Sequence, residues 1–281
     1  MIHRFHVRNY KSIVDVDVEL SPVTVLVGKS GTGKSNFVQA LRFLRDLLIS
    51  NQSLHQNWEE IRTVTASSEL KSFSVEFSVA GIDEHFRYEL TINKRGYVHH
   101  LDTEALFIGD KCLFHQHESE SGRTDWIVEP DVVPIPNTGQ IALGRIPVIS
   151  EIVIAYTALT NGIGCYGFSD SVLCHPADVH TDSSGLADDA ANFLSVIKDI
   201  ATNLQDLRVR KNITSSLQYM NHLVTSVELN DIRQPNRIVV GHRADGKIYS
   251  LDLSQESGGF RRFYAHLLAL YQRPPQANLD F

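Results

Sequence analysis

Val27 to Asn36 reads VGKSGTGKSN, in which Gly28, Gly33, Lys34 and Ser35 satisfy the pattern G-x-x-x-x-G-K-[ST] in full. The pattern is meaningful only between a strand and a helix. The flanking residues predict both. Ser21-Pro22-Val23-Thr24-Val25-Leu26-Val27 is a β-branched apolar run behind a turn, which predicts a buried strand. Phe37, Leu41, Leu44 and Leu48 recur at helical spacing, so a helix is expected to begin near Lys34.

In that setting each residue has a physical task. Glycines at positions 28, 31 and 33 let the backbone from Gly28 through Lys29, Ser30, Gly31, Thr32 and Gly33 turn its N–H groups toward a phosphate without Cβ obstruction. The N-terminus of the following helix adds partial positive charge aimed at the same anion. Lys34 would reach the β- and γ-phosphates, the Ser35 hydroxyl would ligate Mg²⁺, and Asn36 completes the stretch. The expected ligand is a nucleoside triphosphate, ATP with Mg²⁺. A glycine-rich turn without a ligand is the alternative.

Composition sets the frame. The chain has 281 residues, 42% hydrophobic and 21% charged, which suits one large globular domain or two joined lobes. Its apolar runs are strand-sized, far short of the ~20 residues of a membrane span. The opening MIHRFHVRNY has no apolar stretch of secretion type, so a cytoplasmic location is expected. Cys112, Cys165 and Cys174 are too scattered for a disulfide framework or a four-cysteine zinc site. A net charge of -7 argues against a globally basic nucleic-acid binder, though not against a local basic face.

Taken with the loop, Val7-Arg8-Asn9-Tyr10-Lys11-Ser12-Ile13 resembles the start of RecF/SMC-like ATPases of the ABC class. That group includes AAA family ATPases of the overcoming-lysogenization-defect and abortive-infection type. The resemblance implies a P-loop NTPase fold of the α/β class: an ABC-ATPase-like head with an antiparallel β extension and a helical lid lobe. It also implies a basic residue just after the first strand that approaches the nucleotide phosphates. Lys11 is the matching position, with an ordinary exposed turn lysine as the alternative.

A second match lies in Leu253-Ser254-Gln255-Glu256-Ser257-Gly258-Gly259-Phe260-Arg261-Arg262-Phe263, which resembles the ABC signature segment. Ser257, Gly258 and Gly259 fall on the Ser-Gly-Gly core, ahead of a helix carrying Phe263, Leu267 and Leu270 on one face. In the resembled family this element of one subunit closes over the γ-phosphate held by another. The implied partner is therefore a second copy, or a complementary subunit, joined through ATP. A plain helix N-cap is the alternative, and Ser254 is a second candidate hydroxyl. More faintly, Leu186 to Leu194 resembles the segment opening the lid helices, with Ala190 where a glycine is usual. Gln140 is a candidate for the lobe-linking glutamine placed near Mg²⁺, the alternative being a solvated loop glutamine.

Along the chain, 1–117 is expected to form the N-terminal α/β lobe. A helical lid lobe follows over 118–225, and 226–281 bring return strands, the signature segment and its helix. SFSVEFSV, FRYELTI and GYVHHL alternate with period two and predict antiparallel strands, with a further hairpin at Gly109-Asp110-Lys111. From Glu118 to Gly144 the composition predicts a loop or lobe junction. Helices are expected over 149–159, 191–204 and 213–224, and strands over 227–229, 238–240 and 248–253. No long heptad run predicts a coiled-coil arm.

Hydrolysis needs an Asp that holds Mg²⁺ and an acidic neighbour that orients water. After the turn Arg273-Pro274-Pro275, Asp280 stands about where the resemblance implies the first acid, and Phe281 where the catalytic Glu belongs. The expectation is an ATPase lineage with an incomplete Walker B segment, truncated before or within it or completed by another chain. The rival reading is a non-catalytic subunit that ATP switches between partners. A nuclease-linked ATPase is a third reading. His115-Gln116-His117-Glu118 and Cys174-His175 with Asp178 and His180 lack the converging four ligands zinc requires. Arg208, Arg210 and Lys211 could touch nucleic-acid phosphates, or form a solvated face.

Overall fold

A computed structural model describes residues 1–50, 70–95, 98–118, 124–128, 131–132, 141–145, 149–175, 185–202, 207–230 and 237–271. The chain forms two compact units, Met1–Ile163 and Gly164–Phe281.

The first unit is built on an antiparallel sheet. β1 (Ile2–Tyr10), β2 (Ile13–Glu19), β3 (Lys71–Phe77), β4 (Phe86–Arg95), β5 (Val98–Ile108), β6 (Lys111–Glu118), β7 (Thr124–Val128) and β8 (Asp131–Val132) lie in the order β2-β1-β3-β4-β5-β6-β7-β8. Period-two alternation gives the sheet two chemically different faces. Phe5, Val7, Phe73, Val75, Tyr88 and Leu90 are buried on one. Arg4, His6, Ser72, Ser74, Glu76, Arg87 and Glu89 line a polar trough on the other. Strands β7 and β8 correct the expectation of a loop over 118–144. The segment Thr124–Val128 pairs with β6, Phe114 facing Val128, although polar residues flank it.

α1 (Lys34–Ser50) covers the apolar face through Phe37, Ala40, Leu44 and Leu48. Its ring contacts are Phe37 to Phe5 at 5.2 Å and Phe43 to Phe73 at 5.7 Å. α2 (Ser150–Asn161), a helix expected in the lid lobe, belongs to this unit. The Tyr156 hydroxyl donates to Leu48 O at 3.5 Å, and Arg45 Nη1 donates to Ile163 O at 3.1 Å. Glu104 of β5 is fully buried, accepting from Tyr88 Oη at 2.9 Å, Ala142 N at 2.6 Å and Leu143 N at 3.0 Å. Burial outweighs these three donors and raises its carboxyl to about 7.

The predicted strand at Ser21–Val27 is not one. This stretch has no strand hydrogen-bonding pattern, and Val23, Val25 and Val27 are 82%, 74% and 85% exposed. A β-branched run becomes a strand only when a neighbour takes its backbone groups. In the described sheet β2 and β8 are the edge strands, and neither pairs with this stretch.

In the second unit α3 (Asp170–Cys174), α4 (Phe193–Thr202), α5 (Leu207–Met220) and α6 (Gly258–Tyr271) surround a sheet of order β11-β10-β9. The strands are β9 (Val224–Asn230), β10 (Arg237–Ala244) and β11 (Lys247–Asp252). Phe193, Leu194, Ile213, Leu217, Val240 and Phe260 form the core, with the Phe193 and Tyr264 rings 5.6 Å apart edge to face. α3 is too short to leave a periodic signal in the sequence. α5 starts six residues ahead of the expected Ile213. Among the described residues no helix is long and apolar enough to cross a membrane.

Candidate nucleotide site

The stretch from Gly28 to Asn36 is a turn running into the first turn of α1, as the spacing requires. Gly31 and Gly33 have φ of +81° and +91°, a left-handed backbone that strains any residue with a Cβ. A Cβ at Gly28 would also lie 3.2 Å from Thr32 Oγ1. The glycines are therefore demanded by the path of the loop itself. Lys34 folds back over it, its ammonium donating to Gly28 O at 2.7 Å, Lys29 O at 2.6 Å and Thr32 Oγ1 at 3.3 Å. Thr32 Oγ1 in turn donates to Lys29 O at 2.9 Å. Lys29, Ser30, Gly31, Thr32 and Ser35 are exposed.

This donor set fits a magnesium-bound triphosphate: exposed amides at a helix N-terminus, one ammonium and one exposed serine hydroxyl. Lys34 would hold the phosphates and Ser35 the metal, and a bound Mg²⁺ would neutralise phosphate charge.

The β1–β2 turn lies beside the loop. Asn9 and Lys11 both take left-handed φ, +54° and +51°, a strained choice for residues with a Cβ. Asn36 Nδ2 donates to Ser12 Oγ at 2.6 Å, and the same hydroxyl lies 3.4 Å from where a Cβ on Gly33 would stand. Lys11 Nζ donates to Gln39 Oε1 at 2.8 Å on α1. The turn thus sets its lysine on the helix that follows the loop. Gln39 carries no motif, and Ser12, though inside the resembled opening, has no motif role there; only the turn geometry reveals their part.

The Ser257-Gly258-Gly259 turn begins α6, with Ser257 as its N-cap: Phe260 N donates to Ser257 Oγ at 3.1 Å. Ser254 is engaged elsewhere, its N–H donating to Asp252 Oδ1 at 2.8 Å and its hydroxyl to the same oxygen. A Cβ on Gly258 would come 2.9 Å from Asp170 Oδ1, so an alanine there would have to displace that carboxylate. Gly259 is different: it is exposed, and an added Cβ would meet only Ser257 Oγ, at 3.9 Å.

Ala190 stands before α4 with φ of +62°, a left-handed residue at the position where the resembled lid segment usually has glycine. Arg208 and Lys211 are exposed in the first turns of α5. Gln140 and Asp280 lie outside the described residues, as do Asp178 and His180. No cluster of three or more metal-ligating side chains occurs among the described residues.

The chain resembles known proteins most clearly over its first unit. Residues 1–111 match the family described as AAA ATPase domain. No curated protein matches. Among solved structures, an SMC head bound to the C-terminal winged-helix domain of ScpA is 15% identical, covering 96% of this chain and 75% of that one at a TM-score of 0.49. The SMC head domain from Thermotoga maritima is 14% identical, with 98% and 74% covered and a TM-score of 0.42. The recombination mediator RecF with ATP is 12% identical, with 97% and 81% covered and a TM-score of 0.36. Residues 1–111, which contain the complete phosphate loop, are thus similar to the AAA ATPase domain family.

Proposed function

We propose that this chain binds Mg²⁺-ATP at Gly28–Asn36 and pairs with a second copy through the Ser257–Gly259 turn, in a DNA transaction such as repair or phage defence. One observation carries the reading. The Lys34 ammonium is held over an exposed, glycine-bent loop at the start of a helix, a setting that suits one anion. The pairing step draws support from Gly259, a glycine that neither backbone conformation nor neighbouring atoms require. Its bare backbone leaves room for a phosphate to approach.

Hydrolysis of ATP to ADP and phosphate is the chemistry of an intact ATPase of this class. The groups described here supply grip and charge neutralisation. The acids that hold Mg²⁺ and orient water would come from Asp280 and from a further carboxylate of the same or another chain. The process assignment rests on family likeness, since a fold of this kind serves many tasks. DNA contact, where it occurs, would use Arg208 and Lys211.

The test is calorimetry with Mg²⁺-ATP on the full chain and on Lys34→Ala. Loss of a charge-assisted contact is expected to weaken binding by roughly 10- to 100-fold. The unfolding midpoint should stay put, because among the described residues Lys34 bonds within its own loop. Unchanged ATP affinity in the variant would contradict the site.

A further inference from the structure

Asp252, the last residue of β11, and the five residues Leu253–Ser257 that lead into α6 are held by side chains from two elements of the second unit, β10 and α6. From β10, Arg237 pairs with the Asp252 carboxylate. Also from β10, His242 Nε2 meets Glu256 Oε1 at 2.5 Å, both side chains being almost wholly buried. From α6 itself, Arg261 turns back under the helix start. Its Nη1 donates to Ser254 O at 2.9 Å and also to Glu256 O, while Nε and Nη2 bind the two oxygens of Asp170 on α3 at 3.1 and 2.8 Å. Asp252 further caps the 3₁₀ turn Leu253–Gln255, with Gln255 Oε1 accepting from Asp252 N at 3.0 Å.

A cation in the first turn of a helix is unfavourable, because the helix N-terminus carries partial positive charge. Arg261 is therefore badly placed for helix stability, and a lysine or leucine would serve the helix at least as well. What only a guanidinium can do is bind a carboxylate with two N–H groups and still reach backbone carbonyls with the others. Those carbonyls belong to Ser254 and Glu256, the residues leading into Ser257. Arg261 also orients Asp170, whose Oδ1 lies where a Cβ on Gly258 would collide. The side chain thus fixes the turn from beneath and from the side, while His242 fixes it at Glu256.

We propose that Arg261, with Asp170 and the His242–Glu256 pair, is a positioning group that presets the Ser257–Gly259 turn for a nucleotide phosphate held by a second copy of this chain. The inference rests on the pairing function proposed above. Its physical content is preorganisation: a turn already fixed in its receiving geometry loses little freedom on contact. Loosening the turn should weaken pairing without touching ATP uptake at Lys34.

The experiment measures self-association of the full chain by sedimentation, with and without Mg²⁺-ATP, beside ATP affinity by calorimetry. The variants are Arg261→Lys, Glu256→Gln and Gly259→Ala. Arg261→Lys keeps the charge but cannot fork between Asp170 and the carbonyls, and Glu256→Gln keeps the shape but replaces the carboxylate that meets His242. The expected result is ATP-driven pairing weakened by about tenfold or more in both, with ATP affinity within about twofold of the parent. Should Arg261→Lys fail to fold, Glu256→Gln decides alone. Pairing at parental strength in the positioning variants, but not in Gly259→Ala, overturns this inference and spares the pairing function. No ATP-driven pairing in the parent, or full pairing in Gly259→Ala, overturns both.

Discussion

The two glycine-containing turns are built in opposite ways. The phosphate loop is held mostly from within: Lys34 reaches Gly28, Lys29 and Thr32, none more than six positions away, and Asn36 adds one bond to Ser12, 24 positions off. Ahead of it Val23, Val25 and Val27 stand in solvent. The Ser257 turn is held by Arg261, five and seven positions from the carbonyls it reaches, and Arg261 is itself fixed by Asp170, 91 positions away. A loop that braces itself can be recognised by motif and can carry function while its surroundings vary. A turn braced from a distance has a short, weak signature and an extensive foundation.

The contrast breaks most visibly at Arg261. Replacing it with Ala removes several charge-assisted hydrogen bonds and leaves carbonyls of a partly buried turn without their donor, so the second unit should lose roughly 3–5 kcal/mol. Urea unfolding followed by a probe in that unit measures this. Lys34→Ala should leave the same curve unmoved. A loss of equal size in both would mean that the two turns are supported alike.

These mechanics explain what was legible in the sequence. The loop, α1 and the β1–β2 hairpin follow from local chemistry: glycine placement, the helical spacing of Phe37, Leu44 and Leu48, and alternation along Ile2–Glu19. The strand predicted at Ser21–Val27 failed because strand formation depends on a neighbour, which no local pattern reports. β7 failed in the other direction, since β6 recruits Thr124–Val128 from a stretch whose flanks read as loop. Gly258 and Gly259 could be picked out as a motif, but not told apart. Asp170, His242 and Arg261 had no signal, because their roles exist only once α3, β10 and α6 meet.

Distant bracing is not foreign to the first unit, and Glu104 tests it. This carboxyl holds Ala142 and Leu143 from 38 and 39 positions away, and burial raises it to about 7 from an ordinary 4.5. A group with a raised folded value contributes stability below its unfolded value and loses it as pH climbs through the folded one. Stability of the first unit should therefore fall between about pH 4.5 and 7, by about 3 kcal/mol at most from this group. Glu104→Gln should flatten that dependence. ATP affinity at the loop should not follow it. A loop whose affinity tracks the Glu104 titration would not be self-braced.

The adjacent glycines sharpen the comparison on a finer scale. Gly258→Ala places a methyl 2.9 Å from Asp170 Oδ1 and must shift that carboxylate against Arg261, at a cost of roughly 1 kcal/mol. Gly259→Ala meets open space, and helix preference predicts a gain of up to about 1 kcal/mol. Paired thermal melts of the two variants test the difference in sign. Two equal losses would mean that Gly259 also serves the fold, which would remove the reason for reading its bare backbone as room for a phosphate.

The smallest effect belongs to Ala190, where opposing terms are of similar size. Its φ of +62° costs a residue with a Cβ about 1–2 kcal/mol, and Ala190→Gly would relieve that. The same change strips a fully buried methyl, worth about 0.8 kcal/mol, and adds unfolded-state freedom worth roughly 0.5–1 kcal/mol. The balance predicts a shift of less than about 1 kcal/mol in either direction. Ala190→Val has no such cancellation, since a β-branched side chain at positive φ adds strain in a site with no spare room. It should destabilise the second unit by more than Ala190→Gly changes it. The bend is held at Ala190 by Asn192, whose side chain bridges Gly185 O and Ala187 N at 2.8 Å each. Side-chain anchoring therefore imposes here the conformation that glycine permits in the phosphate loop, and a large gain from Ala190→Gly would show that the anchoring is weaker than these bonds imply.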